Sequence, residues 1–322
     1  MLLVSLLGLA GCTKDTEKVE ALEKKVSELN KQVDEKVEKK ELKEHKPIAV
    51  NVIDPYTKAV IKTFMPEEMD LEKYKAEVEK WAKEVARGTE TTPGYDKRMI
   101  PDRIDASGNV IKGTPRTILE ETELVTNVVK ASVKGGEVKL PLYVTASGYK
   151  PEDVAHLGEV VVATYTTSFN SRVAGRSKNI ELSAQAIHNV IVGIDDIFSF
   201  NTTVGPSDAA HGYQAAEEAI NGKLVMGIGG GICQTSSTLF NAIDQLSVNY
   251  VEKHHHSVTV GYVPKGRDAT VSYGGKDFRF QNTTGVPLLI TTIYGSGKLT
   301  IEIRTSTQYQ GIVKKRVYLA DN

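Results

Sequence analysis

The chain lacks the features that mark several common classes of protein. Two cysteines among 322 residues cannot build a disulfide framework. Forty basic and 41 acidic side chains leave a net charge of −1, so no surplus of positive charge points to nucleic acid as a partner. Apolar residues make up 40% of the chain and charged residues 25%, which is ordinary for a globular protein. The length favours roughly two domains.

The first twelve residues have the pattern of an export signal. Residues 2–10 are almost all apolar, but this run is far shorter than the roughly 20 residues of a membrane-spanning helix. It ends in Leu9-Ala10-Gly11-Cys12, which resembles a bacterial lipobox, whose cysteine carries lipid. We therefore expect an extracytoplasmic protein, anchored through Cys12 to the outer face of the cell membrane. The alternative is a cytosolic protein with an apolar N-terminus.

The remaining chain divides into four segments. Residues 13–46 are mostly charged, and their apolar residues recur at steps of three and four, which predicts a helical stalk. Only about two heptads are regular, so the stalk is either a solvated spacer or a coiled coil with weak self-association. Residues 47–155 predict a small α+β module and residues 156–310 a second α+β domain. Residues 311–322 form a C-terminal tail.

Local patterns predict the elements of both α+β segments. In the first segment they indicate strands at 48–53 and 59–64, a helix that Asp70 begins and Gly88 ends, a helix over 118–129 and a strand over 138–144. In the second segment they indicate a strand at 160–167, a helix near 180–192, a helix over 233–246 and a final hairpin that turns at 295–297.

A glycine cluster carries the sharpest chemical signal. Gly229, Gly230 and Gly231 precede Cys233 and Gln234, and a helical pattern follows. A thiol at the first turn of a helix is favoured as thiolate by the helix dipole. The unpaired N–H groups of that turn, with the glycine loop, are suited to bind an oxyanion.

Other interpretations of the glycine cluster are weaker. No Gly-Lys-Ser/Thr follows the glycines, as a phosphate loop requires, and the glycine spacing does not fit a dinucleotide fold. If Cys12 carries lipid, Cys233 is a lone thiol. It is then either a buried, inert cysteine beside a turn or a reactive one.

Three consecutive histidines follow about twenty residues later. If His254, His255 and His256 continue a strand, His254 and His256 share one face. A histidine beside the thiol is suited to act as general base and later as general acid. The alternatives are a zinc site, with Cys233, Asp268 or Asp277 as third ligand, and exposed histidines without a role.

Charged residues further along complete the candidate site. Asp268 is suited to orient a histidine by accepting its ring N–H. Arg267 or Arg279 is suited to bind a carboxylate with two hydrogen bonds. For each of these residues, an ordinary ion pair at the surface or between strands is the more common role.

The ordered motifs over about 160–282 resemble the VanW family. They include Tyr165-Thr166-Thr167-Ser168-Phe169, Arg176 with Asn179-Ile180, Phe198-Ser199-Phe200-Asn201, Gly229-Gly230-Gly231-Ile232-Cys233-Gln234, His254 with His256-Ser257, Tyr262-Val263-Pro264 and Arg267-Asp268-Ala269-Thr270-Val271. Residues 124–144 show a looser similarity to the peptidoglycan-binding module often found upstream of VanW-type domains. The family occurs in Gram-positive cell envelopes, and some members are implicated as L,D-transpeptidases.

The resemblance implies a peptidoglycan-remodelling enzyme. Cys233 would be the nucleophile of an L,D-transpeptidase that forms 3-3 crosslinks between stem peptides. His256, or else His254, would be the base. The reaction needs no cofactor or metal. The rival hypotheses are a non-catalytic peptidoglycan-binding lipoprotein and a zinc-dependent amidase or peptidase.

Overall fold

The computed structural model describes residues 24–32, 48–66, 70–220 and 223–315. The predicted signal segment with Cys12, the larger part of the predicted stalk and residues 316–322 of the predicted tail lie outside these ranges. Residues 24–32 are helical (α1) and their side chains are exposed. No helix in the described ranges has both the length and the apolar character required to cross a membrane.

The protein mixes helices and sheets, which confirms the predicted α+β class, and it forms two compact units. The first unit is residues 1–78 with 125–140. Its sheet has β1 (Val50–Ile53) at the centre, antiparallel to β2 (Val60–Phe64) and parallel to β6 (Gly136–Lys139). The helix α2 (Leu71–Arg87) begins where Asp70 accepts hydrogen bonds from two backbone N–H groups of the first turn.

The second unit, residues 79–124 with 141–322, is built around a six-stranded antiparallel sheet. The strand order is β4-β3-β9-β15-β16-β8. The bounds are β3 (Arg103–Ile104), β4 (Val110–Ile111), β8 (Val160–Ser168), β9 (Val190–Val192), β15 (Leu288–Gly295) and β16 (Lys298–Thr305). Two helices, α4 (Ala174–Ile187) and α6 (Ile232–Ile243), contact each other and the strands β15, β16 and β8.

Smaller elements complete this unit. One antiparallel pair joins β5 (Arg116–Leu119) to β7 (Leu142–Thr145), and a hairpin joins β11 (Ala215–Ile220) to β12 (Lys223–Ile228). A three-stranded sheet orders β10 (Ile197–Ser199), β14 (Arg279–Gln281) and β13 (Asn249–Glu252). The helix α5 (Phe200–Val204) is short, and of α3 (Glu121–Ala131) only the residues up to Leu124 belong to this unit.

The centre of the unit is α6, which is buried along nearly all its length although half of its residues are polar. Its buried hydroxyl groups have hydrogen-bond partners: Thr235 pairs with Ser183 of α4 at 2.7 Å, and Thr238 pairs with Thr167 of β8 at 2.8 Å. An unpaired buried hydroxyl costs about 1–3 kcal/mol, so these pairs fix the position of α6 between α4 and the sheet. The first turn of α6, which carries Cys233, is held by the same contacts.

Three predicted elements have different bounds in the structure. Ile118 and Leu119, predicted as helical, lie in β5, because pairing with β7 overrides the helical pattern. The predicted strand over 138–144 is split between β6 and β7, which belong to different sheets, because Pro141 has no N–H for a ladder. The predicted helix near 180–192 begins earlier, at Ala174, and residues 190–192 form β9.

Candidate active site

The glycine loop links the β11–β12 hairpin to α6, and its conformation requires glycine. Gly229 and Gly231 have φ angles of 102° and 117°, which side chains with a Cβ rarely adopt. At Gly230 a Cβ would lie 2.6 Å from the carbonyl oxygens of Ala216 and Glu217. The loop therefore passes directly against the backbone of the hairpin.

Asn179, a fully buried residue of α4, holds this loop in place. Its amide nitrogen donates to the carbonyl oxygens of Gln214 and Gly230 at 2.8 and 2.9 Å, and its oxygen accepts from the N–H of Gln214 at 2.7 Å. The N–H of Gly229 also has a partner in the fold, because it donates to the carbonyl oxygen of Gln214 at 3.1 Å. The backbone hydrogen bonds of Gly229 and Gly230 therefore stabilise the conformation of the loop.

Replacing Gly230 with alanine is expected to lower the free energy of unfolding by about 1–3 kcal/mol, because the added methyl overpacks the contact with the hairpin backbone. Urea titration measures the change. Gly158→Ala is the matched control, since a Cβ there meets no atom within 4 Å. Equal stability of the two variants would show that the loop moves aside without cost.

Cys233 is the second residue of α6 and the one residue of that helix whose side chain is partly exposed. Its Sγ lies 3.4 Å from the carbonyl oxygen of Val271 and 3.6 Å from the hydroxyl of Thr270. Its backbone N–H has no acceptor among the residues that the structure describes. A free N–H at a helix N-terminus beside a thiol is a suitable donor for a developing oxyanion.

His256 and Asp268 lie beside the thiol. The Nδ1 of His256 lies 2.7 Å from Oδ2 of Asp268, and the same oxygen accepts the backbone N–H of His256 at 2.7 Å. A carboxylate only accepts, so Nδ1 carries the proton and Nε2 is left for the other side of the ring. His256 is also close enough to Cys233 for each group to shift the pKa of the other. The structure thus gathers a thiol, an imidazole and a carboxylate in a row.

The pKa values of the thiol and the imidazole shift toward an ion pair. Burial opposes the thiolate, but the hydrogen bonds and the charge of His256 outweigh it and lower the pKa of Cys233. Burial also opposes the imidazolium, and contacts with Cys233 and Asp268 outweigh it, so the pKa of His256 is raised. Both shifts favour the form in which the thiol is a thiolate and the ring an imidazolium, and the thiolate is the reactive form of a cysteine.

Asp268 stays ionised over the whole physiological range. Burial raises its pKa, but hydrogen bonds from His256 and His255 and the charge of His256 outweigh burial and lower the pKa to about 2. His255 reaches the second oxygen, with Nδ1 at 2.8 Å from Oδ1, and Lys253 donates to Nε2 of His255 at 2.8 Å. The carboxylate is therefore fixed from both sides.

The lowered pKa of Asp268 predicts a pH-dependent stability. The carboxyl has a pKa of about 3.9 when unfolded and about 2 when folded. Its contribution is fully present above the unfolded value and is lost as the pH falls through 2. We expect Asp268→Asn to remove that part of the acid dependence in urea titrations between pH 5 and 2. An unchanged acid profile would contradict the pairing with His256.

The histidine segment does not continue the strand, contrary to the pattern-based expectation. β13 ends at Glu252, and the following residues are irregular, so His255 and His256 both reach Asp268 instead of facing opposite sides. His254 turns elsewhere, with Nε2 at 3.0 Å from Oε1 of Glu252. Of the two candidate bases, the structure places His256 at the thiol.

Two other predicted site residues have partners within the fold. Gln234 is buried, and its amide donates to Thr167 and to the carbonyl of Ser168, both at 3.0 Å. Arg267 pairs with Asp244 at 2.6 Å and lies over the ring of Phe240. These contacts join α6 to its neighbours.

Asp277, a candidate ligand of the alternative zinc site, and Arg279 also have partners within the fold. Asp277 accepts hydrogen bonds from Ser199 and the N–H of Asn201, and Arg98 lies 3.0 Å from it. Arg279 lies 3.6 Å from Glu252. Within the described ranges, no three side chains of His, Cys, Asp or Glu are grouped as metal ligands.

Tyr262 and Arg176 lie near the thiol, although the sequence analysis gave them no role beyond membership of the motifs. The ring of Tyr262 packs edge-on against the ring of His256, with centroids 6.5 Å apart, and the guanidinium of Arg176 lies 5.8 Å from the Tyr262 centroid. Burial, followed by the charge of Cys233, raises the pKa of the Tyr262 hydroxyl. Neither residue is adjacent to another titratable group in the sequence, so the sequence spacing did not predict that either residue lies at the site.

Comparison with known proteins assigns the domain that contains this site. Residues 175–304 match the family model described as VanW like protein, which agrees with the resemblance in the motifs; we refer to this region as the VanW-like domain. This range includes all members of the site: Arg176, Cys233, His256, Tyr262 and Asp268.

Two curated relatives extend the match. The chain is 44% identical over 164 residues to "Uncharacterized protein YoaR" of Bacillus subtilis (strain 168), which covers 51% of this chain and 54% of the relative. It is 28% identical over 141 residues to "Vancomycin B-type resistance protein VanW" of Enterococcus faecalis (strain ATCC 700802 / V583), which covers 42% and 51%. The chain thus spans about half the length of these relatives. No solved structure matches it.

Proposed function

We propose that the VanW-like domain is a cysteine acyltransferase that remodels peptidoglycan, acting as an L,D-transpeptidase. The row formed by Cys233, His256 and Asp268 at the start of α6 carries the proposal. A thiol, a base that contacts it and a carboxylate that orients the base are the parts that nucleophilic acyl transfer requires.

The reaction begins with the thiolate of Cys233. Its sulfur attacks the carbonyl carbon of the amide between an L-centre and a D-centre of a stem peptide, and the N–H of Cys233 stabilises the oxyanion. His256 then protonates the nitrogen as the C–N bond breaks, which leaves a thioester and a free D-amino acid. An amine of a second stem peptide attacks the thioester, gives its proton to His256 and restores the thiolate. If water replaces the amine, the same site is a carboxypeptidase.

The choice of peptidoglycan rests on two supports. One relative is named a vancomycin resistance protein, and the motifs resemble a family of Gram-positive cell envelopes. The lipobox-like sequence before Cys12 agrees with this setting, because an anchored, extracytoplasmic domain meets the cell wall. The anchor and the stalk would hold the domain near its substrate, and the upstream module would contribute to wall binding.

Product analysis tests the proposal. Purified full-length protein is incubated with disaccharide-tetrapeptide fragments, and the products are separated and identified by mass spectrometry. Crosslinked dimers with release of one D-amino acid per bond support transpeptidation, and shortened fragments without dimers support the carboxypeptidase outcome. If the fragments bind the protein but are unchanged, the result would support the alternative hypothesis of a non-catalytic wall-binding protein. Loss of activity with a chelator would point to a zinc enzyme.

A further inference from the structure

We propose that Arg176 is a specificity residue that binds the free carboxylate of the amino acid released in the first step. The site would then select donor peptides that end one residue after the scissile amide. This inference rests on the proposed acyl transfer and goes beyond it, because it names the part of the donor that the site recognises.

The position of Arg176 supports this role. It belongs to the first turn of α4, and a Cβ on Gly231 would lie 3.1 Å from its Cγ, so the side chain borders the loop directly before Cys233. Its guanidinium lies over the ring of Tyr262, which also packs against His256. Arg176 and His256, the group that protonates the leaving nitrogen, therefore both lie against the ring of Tyr262.

The hydrogen bonds of Arg176 leave most of its donors available. Nη2 donates to Oε1 of Gln234 at 2.8 Å, which fixes one edge of the planar group. Among the described residues, Gln234 is the one hydrogen-bond acceptor of this guanidinium, and no carboxylate forms an ion pair with it. A guanidinium that is held at one edge and lies over an aromatic ring is well suited to bind a carboxylate.

The other arginines near the site are already paired. Arg267 is bound to Asp244, and Arg279 lies beside Glu252. The proposed reaction leaves a D-amino acid whose carboxylate is two bonds from the nitrogen that His256 protonates. A cation that lies over the same ring as His256 and borders the loop before Cys233 therefore matches a carboxylate at the donor's end. A donor extended by another residue would carry a neutral amide there.

Two donor probes test the inference with the full-length protein. One is a disaccharide-tetrapeptide with a free terminal carboxylate, and the other is the same molecule with a terminal carboxamide. The rates of release of D-alanine and D-alaninamide are compared as kcat/KM. We expect the wild-type protein to prefer the carboxylate by about 10- to 100-fold, the range of a charge-assisted hydrogen bond.

The variant Arg176→Gln is expected to lose this preference: its rate with the carboxylate falls and its rate with the carboxamide is unchanged. Arg172→Ala, which replaces an exposed arginine, is the control and should keep the preference.

Equal use of both probes by the wild-type protein would overturn the inference but would leave the proposed acyltransferase activity standing. An equal loss on both probes in Arg176→Gln would assign Arg176 to support of Gln234 and also overturn it. No release from either probe by the wild-type protein would overturn the proposed function itself.

Discussion

Replacing Cys233 with alanine is expected to lower the rate of acyl transfer by about 10,000-fold or more, the scale seen when a nucleophile is removed. No other thiol lies in the VanW-like domain, so no second nucleophile of this kind can substitute. Release of D-alanine from the disaccharide-tetrapeptide measures the effect.

Cys233→Ser is the companion variant. It keeps a group of similar shape but has a hydroxyl that does not ionise near neutral pH, so it should be almost as inactive. Because the side chain is partly exposed, both variants should unfold at nearly the urea concentration of the wild-type protein. Full activity in either variant would show that the chemistry lies elsewhere.

Replacing His256 with alanine is expected to lower kcat by about 100- to 10,000-fold, because the general acid and base is removed. It should also raise the pKa of Cys233, since burial raises that pKa and His256 is the largest of the influences that lower it. The pH dependence of alkylation by iodoacetamide measures this shift: the wild-type thiol should react at a lower pH than the variant's thiol.

His254→Ala is the control for this prediction, because its ring contacts Glu252 and not the row that contains the thiol. We expect it to change kcat and the alkylation profile by less than a few-fold. A larger effect for His254→Ala than for His256→Ala would contradict the assignment of the base and favour the other histidine.

The sequence predicts those parts of the fold that local chemistry determines. Asp70 begins a helix because its carboxylate caps free N–H groups, and the hairpin at 295–297 forms where glycine allows positive φ angles. Pairing between distant segments was not predictable. The strand at Ile118 depends on a partner strand at 142–145, and the break at Pro141 separates two sheets that only tertiary structure defines.

The same distinction applies to the candidate site. Cys233 stands out locally, because glycines precede it and a helix follows. The choice between His254 and His256 could not be made from spacing, since it depends on where β13 ends and on which nitrogen Asp268 reaches. Arg176 lies 57 residues before Cys233 and joins the site only because α4 packs against α6.

Trapping the acyl-enzyme tests the central claim most directly. The full-length protein is mixed with a disaccharide-tetrapeptide whose side-chain amine is acetylated, so that no crosslink can resolve the thioester, and the mixture is quenched in acid. Intact-mass analysis and peptide mapping should show Cys233 heavier by the donor minus one D-alanine, with no such adduct in Cys233→Ala. An unmodified Cys233 while D-alanine is released would contradict a thioester mechanism.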